Sequence, residues 1–437
     1  MQIGSLALGA LLSGESQSEA AANEQGHPAK QPHFPSKAKH VIHIFAGGGP
    51  SHLDTFDWKP GMRKDSGKSV AGLGGVLWPT PFEFQQSGKS GLAISEIFPH
   101  LQQEADELCI VRSLHSEVPA HGPGAQFMHT GSAVLTRPSL GSWLLYGLGT
   151  ENENLPGFVC LGGEVSWRQA AFLPSACQGT RTNFKSGVPL DRIIPNLRSE
   201  FSTLEEQRRQ LDYMRKINEQ HMLSVQRDEQ LEARIESFEL AFRMQAAATE
   251  AFDISKEPES VRAAYGKTRL SDKLLCARRL VERGVRFVQV DASGWDNHFS
   301  LESAIRVNAR DVDQPAAALI ADLRSRGLLE QTLVLWGGEF GRPPNTSGRI
   351  DEKSGRDHWS KVYCCWLAGG GVRAGTAFGE SDEIGAEPGR DPVHLHDLHA
   401  TLLHLMGFDH TRLTYRYNGR DFRLTDNFGK VMHGMLG

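Results

Sequence analysis

The chain has 437 residues, and its 47 lysines and arginines against 52 aspartates and glutamates give a formal net charge of −5. A hydrophobic content of 39% with 23% charged residues excludes a collagen-like or wholly disordered chain. The slight acidic excess argues against nucleic acid as the main partner, because a surface that follows phosphates is usually basic. The unusual count is that of histidine, with 18 residues.

The first 37 residues are predicted to lie outside the folded domain. Residues 3–12 form a short apolar run, and the alanine triplet at 20–22 matches a small-residue cleavage site. An export signal also has a basic stretch before its apolar run, and only two residues precede the run here. Two interpretations follow, a clipped export signal or a tail without structure. We favour the signal, followed by a proline-rich linker at 23–37, and expect a periplasmic or cell-envelope protein.

From residue 38 onward, short apolar runs alternate with helical patterns. The apolar runs are typical of strands buried on both faces of a parallel sheet, and they lie at 39–46, 108–114, 157–161, 285–291, 332–337 and 362–368. The helical patterns lie at 95–107, 272–283, 302–327 and 397–407. This alternation predicts one doubly wound α/β domain over residues 38–437, with a mainly parallel sheet. No run reaches the roughly 18–20 apolar residues that a transmembrane helix needs.

A polar helical segment interrupts the alternation at about residues 199–250. It contains neither glycine nor proline. We predict a helical hairpin inserted into the domain. A coiled-coil partner helix is the alternative, and the irregular apolar spacing disfavours it because a coiled coil needs a regular heptad.

Polar residues at the carboxyl ends of the strands are the candidates for function, because ligands collect there in open parallel sheets. The first strand is followed by GGGPSHLDTFD, in which glycines allow close backbone approach and Asp54 offers a carboxylate. This motif favours an anion cradle or a carboxylate metal site. The second strand is followed by His115, His121 and His129 within fifteen residues, a density that makes a ligand site as reasonable as a packing role.

Later strand ends carry further charged or imidazole side chains: Asp296 and His298 in GWDNH, Glu339 and Arg342 in GGEFGR, and Arg356, Asp357 and His358 in GRDHW. An Asp and a His two residues apart suit Zn²⁺, Mn²⁺ or iron. Burying charged side chains at strand ends is costly unless they bind a ligand or a metal or form ion pairs with each other. Ion pairs within GGEFGR or GRDHW are therefore the structural alternative.

Six motifs taken in this order resemble a bacterial family described as domain of unknown function 1501: GGGPSHLDTFD, GWDNH, GEFGR, GRDHW, HLHDLHATLLHLMG and TYRYNGRDFRLTD. The resemblance covers roughly residues 38–435. The family is grouped with sulfatase-like proteins in the alkaline phosphatase superfamily. The resemblance therefore implies a sheet of that type and an export signal at the N-terminus. The family has no firmly assigned reaction.

The resemblance also implies metal ligands, and these would be Asp54, Asp296, His298, Glu339, Asp357 and His358. The superfamily's nucleophile precedes a Thr-Gly pair by ten residues, and this position falls on His121 rather than on a hydroxyl or a thiol. The sulfatase pattern Cys/Ser-x-Pro-x-Arg is absent, and Glu339-Phe340 stands where an Asp-His pair is expected. These departures disfavour a formylglycine sulfatase. They also disfavour a covalent intermediate on a hydroxyl, unless Ser113, Ser116 or Thr130 takes that role, and a catalytic His121 is expected.

Two hypotheses follow from the sequence. The first is an exported hydrolase of phosphate or sulfate esters that uses a water activated by Zn, Mn, Ca or Mg. Arg342 or Arg356 would then hold the anionic group of a small-molecule or glycan ester. The second is a catalytically degenerate protein of the same fold that binds a ligand or acts as a scaffold in the cell envelope. The charged residues at the strand ends favour the first, and the missing nucleophile favours the second.

Overall fold

The computed structural model describes residues 30–185, 187–188, 190–194, 202–224 and 229–437. The predicted signal at 1–22 and most of the linker lie outside the described residues. The strands are β1 His40–Phe45, β2 Val76–Leu77, β3 Phe84–Ser87, β4 Leu92–Ser95, β5 Leu108–His115, β6 Phe158–Leu161, β7 Thr180–Thr182, β8 Phe287–Asp291, β9 Thr332–Gly337, β10 Asn345–Thr346, β11 Tyr363–Ala368, β12 Thr376–Phe378, β13 Glu380–Ser381, β14 Pro388–Arg390, β15 Val393–His394, β16 Tyr415–Tyr417 and β17 Arg420–Phe422. The helices are α1 His52–Thr55, α2 His121–Thr130, α3 Leu140–Leu148, α4 Leu190–Ile193, α5 Leu204–Ser224, α6 Glu229–Phe252, α7 Glu259–Tyr265, α8 Ser271–Glu282, α9 Leu301–Ser325 and α10 Leu395–Leu405.

Nine strands of the described residues form the central sheet, in the order β12-β5-β11-β9-β1-β8-β6-β7, with β15 also paired to β5. The pairs of β1 with β8 and β9, and of β6 with β7 and β8, are parallel. Strand β11 runs antiparallel to both β5 and β9. It reverses because no helix crosses the sheet between β9 and β11. The connection 338–362 therefore stays at the carboxyl edge of the sheet.

Helices cover both faces of the sheet, and strand β1 shows how. Ile42 and Ile44 point into a core formed with α8 and α9, whereas Val41 and Phe45 point into a second core formed with α3 and α10. All four side chains are buried, as expected for a parallel strand with helices on both faces. The predicted doubly wound α/β class with a mainly parallel sheet is confirmed.

The region predicted as a helical hairpin contains α5 and α6, which pack on each other, and α6 packs on α8. Glu239 of α6 is buried and pairs with Arg208 at 2.7 Å and Arg215 at 3.1 Å. These ion pairs hold the two helices together. Residues 199–201 and 225–228 of the predicted segment lie outside the described residues.

The predicted helix at 95–107 is wrong in type, because strand β4 ends at Ser95 and a 3₁₀ helix covers Leu101–Glu107. Helix α2 was not predicted, since two glycines and a proline in its first turn hide any apolar periodicity. Proline is compatible with a first helical turn. Gly131 then ends the helix in the left-handed conformation, at φ 68°. None of the described helices is long and apolar enough to cross a membrane.

Candidate metal centre

Four potential metal ligands meet at the carboxyl edge of the sheet: His121, Asp296, His298 and His358. Their ligand atoms all lie within 4.8 Å of one another. We call these four residues the edge cluster. His121 begins α2, Asp296 and His298 follow β8, and His358 lies in the connection between β9 and β11. The sheet topology thus brings together three distant parts of the chain.

Three of these atoms form a nearly equilateral triangle. Oδ1 of Asp296 lies 3.0 Å from Nε2 of His298 and 3.3 Å from Nε2 of His358. The two Nε2 atoms are 3.0 Å apart. Ligands at about 2.0–2.1 Å from a tetrahedral metal are separated by roughly 3.3 Å. The triangle therefore has nearly the size of one face of a tetrahedral metal site.

Each imidazole of the edge cluster has its Nδ1 atom at hydrogen-bond distance from an acceptor: His121 at 2.7 Å from Glu339, His298 at 2.9 Å from Asp357, and His358 at 2.9 Å from the carbonyl oxygen of Pro119. Since carboxylates and carbonyls accept, these contacts assign the Nδ1 atom as the donor in the neutral ring. The Nε2 atoms then present lone pairs to the cluster. Metal-binding histidines are typically held in this way.

Asp296 is oriented by Arg342, whose Nη2 donates to Oδ1 at 2.7 Å. Partial burial acts to raise the pKa of Asp296, but the bond to Arg342 brings that pKa down to about 2. The other two nitrogens of Arg342 donate to the carbonyl oxygens of Gly49 and Arg356, each at 2.8 Å. The Arg342 side chain is only 1% exposed. Arg342 therefore lies beneath the cluster and positions Asp296.

Glu339 connects the glycine-rich turn to His121. Its buried carboxylate accepts from the backbone N–H of Gly48 at 2.9 Å and bonds His121, and this bond raises the pKa of the imidazole. Gly48 has a φ of +111°, and a Cβ there would lie 2.5 Å from the backbone nitrogen of Asp296. A side chain at this position is excluded, so the turn can approach closely. The amide of Gly48 thus binds a protein carboxylate, where the sequence predicted an anion cradle or a metal site.

The structure does not bring Asp54 and Arg356 into the edge cluster. Nε of Arg356 donates to Oδ2 of Asp54 at 2.9 Å, and both side chains are fully buried. Arg356 also donates to the carbonyl oxygen of Trp78 at 2.9 Å, and its guanidinium lies 4.5 Å from the centre of that indole ring. Ser51 donates to the same Asp54 oxygen at 2.5 Å. The two residues join the loop after β1 to the connection between β9 and β11.

The charge at the edge suits a divalent cation. The carboxylates of Asp296, Glu339 and Asp357 face one guanidinium, that of Arg342. Two negative charges remain when the imidazoles are neutral. Imidazole nitrogens and a carboxylate oxygen are ligands that Zn²⁺ and Mn²⁺ accept. The residues present therefore fit such a metal.

The comparison with known families agrees with the motifs. The profile described as "Protein of unknown function (DUF1501)" matches residues 38–436. The chain belongs to this family. No curated protein matches its sequence.

Distant structural likenesses link this DUF1501 protein to several hydrolases. The PsFucS1 sulfatase from Pseudoalteromonas sp. shares 14% identity at a TM-score of 0.35, over 85% of this chain and 68% of its own. The alkaline phosphatase of the Antarctic bacterium TAB5 shares 10% sequence identity at a TM-score of 0.34, and the match covers 76% of this chain and 92% of the phosphatase. The phosphonate monoester hydrolase SpPMH from Silicibacter pomeroyi shares 10% sequence identity at a TM-score of 0.34, and the match covers 85% of this chain and 73% of the hydrolase.

Other histidines of this DUF1501 protein lie in its core. We call His43, His129 and His399 the core cluster, since all three are buried. The rings of His43 and His129 are 5.4 Å apart, and His129 stacks on Trp167 at 4.9 Å. Burial lowers the pKa values of His129 and His399 to about 4 each. These two imidazoles are therefore neutral at physiological pH.

Two features of the edge were missed by the sequence analysis. The carbonyl oxygen of Pro119 carries no side-chain signal, so no motif search would find it. The bond between His121 and Glu339 joins residues 218 positions apart. His121 and Glu339 were each predicted as site residues at the end of a different strand. Because these strand ends lie at the same edge of the sheet, a contact between the two residues could have been predicted.

Proposed function

We propose that this protein is a metal-dependent hydrolase of phosphate or sulfate esters, with its metal held by Asp296, His298 and His358. The observation that carries the proposal is the triangle of one carboxylate oxygen and two imidazole nitrogens at 3.0–3.3 Å. Arg342 supports this triangle, because its guanidinium keeps Asp296 ionised and oriented.

A divalent metal at these ligands would supply Lewis acidity and an activated water. Sites that perform such chemistry usually have three protein ligands and one open coordination position. The three atoms of the triangle match that number. Asp357, 76% exposed, holds the ring of His298 in place from the solvent side.

We assign acid–base catalysis to His121. Its Nε2 is buried and lies 3.2 Å from the second oxygen of Asp296. Its Nδ1 is bound to Glu339, which favours a proton on that side. Nε2 then carries the lone pair, so it can take a proton from water and return it to a leaving oxygen. This role needs no hydroxyl or thiol at the start of α2.

The proposed location is the periplasm or the cell envelope, and the apolar run at 3–12 with its alanine triplet supports export. The proposed substrate is an anionic ester on a small molecule or a glycan. Arg356 is assigned to holding Asp54 rather than to substrate, because its guanidinium is buried and bonded.

One observation favours a second function, metal binding without turnover. His121 belongs to the same group of four residues whose ligand atoms lie within 4.8 Å of one another, and its Nε2 lies 3.2 Å from Asp296. A metal bound by all four residues would have a closed tetrahedral shell, as in structural zinc sites. The protein would then act as a ligand-binding or scaffold protein.

Elemental analysis of the purified protein, combined with a panel of phosphate and sulfate esters with and without EDTA, tests both functions. We expect bound divalent metal and hydrolysis that EDTA abolishes and added metal restores. Metal without turnover of any ester would favour the closed site. Protein that binds no metal after incubation with Zn²⁺ or Mn²⁺ would contradict both functions.

A further inference from the structure

An open recess lies at the opposite end of α2 from the edge cluster. Thr130, the last residue of α2, lines it together with Arg137, Phe172, Phe422 and Asp426. At about 1.5 Å per residue, the ten-residue helix separates the recess from His121 by roughly 14 Å.

Arg137 stands out in this recess because its guanidinium forms no hydrogen bond or salt bridge with any residue that the structure describes, although Asp426 attracts its charge from a greater distance. Its guanidinium carbon lies 4.2 Å from the ring centre of Phe422 and 5.9 Å from that of Phe172. Among the described residues, no carboxylate or carbonyl accepts a hydrogen bond from this half-buried guanidinium. Partial burial of this charge is costly and lowers the pKa of Arg137, and the carboxylate of Asp426 opposes that shift.

The carboxylates near Arg137 form ion pairs with other arginines. Asp426, the carboxylate that lines the recess, accepts from Arg420. Asp421 pairs with Arg416 at 3.4 Å. Both carboxylates are thus engaged by other arginines. Arg137 keeps its N–H groups available.

The aromatic walls are held in place before any ligand arrives. Phe172 stacks on Tyr417 at 5.1 Å and contacts Phe422 at 5.0 Å, and both partners belong to the hairpin of β16 and β17. Cation–π contacts hold the guanidinium plane without using its donors. The fork is therefore pre-organised for two oxygens of one anion.

We propose that this recess binds a tetrahedral oxyanion, a sulfate or phosphate group, through Arg137. A planar guanidinium donates two parallel hydrogen bonds to such a group. The anion is either free, as the product of hydrolysis, or a second charged substituent of the substrate. Naming these sources rests on the proposed function, whereas binding itself requires no metal at the edge cluster.

Calorimetric titration of the full chain, with chelator present to keep the edge cluster free of metal, tests the site. The probes are sodium sulfate, sodium phosphate, galactose 6-sulfate and galactose. We expect saturable binding of the anions, weakened about tenfold or more by Arg137→Gln. Arg137→Lys keeps the charge without the planar fork and should bind with intermediate affinity. Arg310→Gln, which removes an exposed arginine of α9, is the matched control and should leave binding unchanged.

The outcomes separate the sources and the two proposals. Tighter binding of galactose 6-sulfate than of sulfate supports a substituent on the substrate, and equal affinity supports the free anion. No saturable anion binding, or unchanged affinity in a folded Arg137→Gln protein, overturns the site. Ester hydrolysis without Arg137-dependent binding would leave the proposed function intact. Arg137-dependent binding in a protein without metal or turnover would refute only the proposed function.

Discussion

Two groups of histidines in this protein have opposite surroundings. In the edge cluster, the imidazoles are 24–37% exposed and lie against carboxylates. In the core cluster, His43, His129 and His399 are at most 3% exposed. The bond to Glu339 raises the pKa of His121, whereas burial lowers the pKa values of the core imidazoles. The surroundings of each imidazole therefore decide whether its pKa is raised or lowered.

The difference shows why a count of histidines does not locate a metal site. A divalent ion needs converging lone pairs and negative charge. Within the described ranges, the edge cluster is the one group of three or more such side chains whose ligand atoms converge. The core cluster has imidazoles without carboxylates, so burial keeps it neutral and apolar in character.

The largest expected effect separates the two clusters directly. His298→Ala removes one vertex of the triangle, and we expect loss of bound metal and a fall in EDTA-sensitive hydrolysis of more than about 100-fold, since changes outside the ligand shell already cost about 10–100-fold. His129→Gln is the control from the core cluster. Elemental analysis should find its metal content unchanged. Equal metal loss in both variants would contradict the assignment of the metal to the edge cluster rather than the core cluster.

The second prediction extends the comparison to carboxylates. Asp54→Asn leaves the buried charge of Arg356 unpaired, and we expect the free energy of unfolding to fall by about 3–5 kcal/mol. Asp296 is 45% exposed whereas Asp54 is fully buried, so Asp296→Asn should lower the free energy of unfolding less than Asp54→Asn does and instead abolish metal binding. Denaturant unfolding and metal analysis of both variants measure this. Metal loss from a stably folded Asp54→Asn protein would show that Asp54 is a ligand, as the sequence predicted.

The third prediction concerns the support of the edge cluster. Glu339→Gln should weaken metal binding or activity about 10–100-fold. It should also lower the pKa of His121, because the bond to the carboxylate raises that pKa in the natural protein. A general base acts when deprotonated. The rise of kcat/KM with pH should therefore move to lower pH in the variant.

Glu117→Gln provides the matched control for this change, because Glu117 pairs with His394 at 2.8 Å outside the edge cluster. We expect its pH profile and metal affinity to equal those of the natural protein. A shift of the same size in both variants would mean that the effect is one of general charge rather than of the bond to His121.

The smallest effect tests the core cluster by its pH dependence. The folded protein holds His129 and His399 at pKa values of about 4, whereas unfolded histidine titrates near ~6.5. The unfolded chain then binds more protons between these values, so stability falls as the pH drops from about 6.5 to 4. His129→Gln should reduce that slope by up to about 1.4 kcal/mol per pH unit. Unfolding curves at pH 7, 6 and 5 measure it, and an unchanged slope would contradict a neutral buried His129.

Part of the candidate site could be predicted from the sequence. Asp296 and His298 were selected because they follow a strand, and His358 because it lies just before the next strand along the chain. Their convergence in the structure agrees with that reasoning. Asp54 was selected by the same argument, yet it pairs with Arg356, 302 positions away. Two charged residues at strand ends can form an ion pair with each other instead of binding a ligand. A sequence motif does not show which residues will form such pairs.

Helix α2 illustrates the other limit. Its sequence HGPGAQFMHT has no apolar period, so only docking against the core explains its helical state. Phe127 and Met128 are buried in that core. This docking places His121 beside Glu339 and Thr130 beside the recess of Arg137.

The sequence by itself determined six of the nine strands of the sheet, namely β1, β5, β6, β8, β9 and β11, and the kinds of side chain at its carboxyl edge. Continuous apolar runs can only be buried on both faces, and that requirement is local to each run. The tertiary structure alone decided which histidines lie among carboxylates and which lie in the core. That choice depends on pairs more than 200 residues apart, such as His121 with Glu339, because desolvation and charge act through space rather than along the chain.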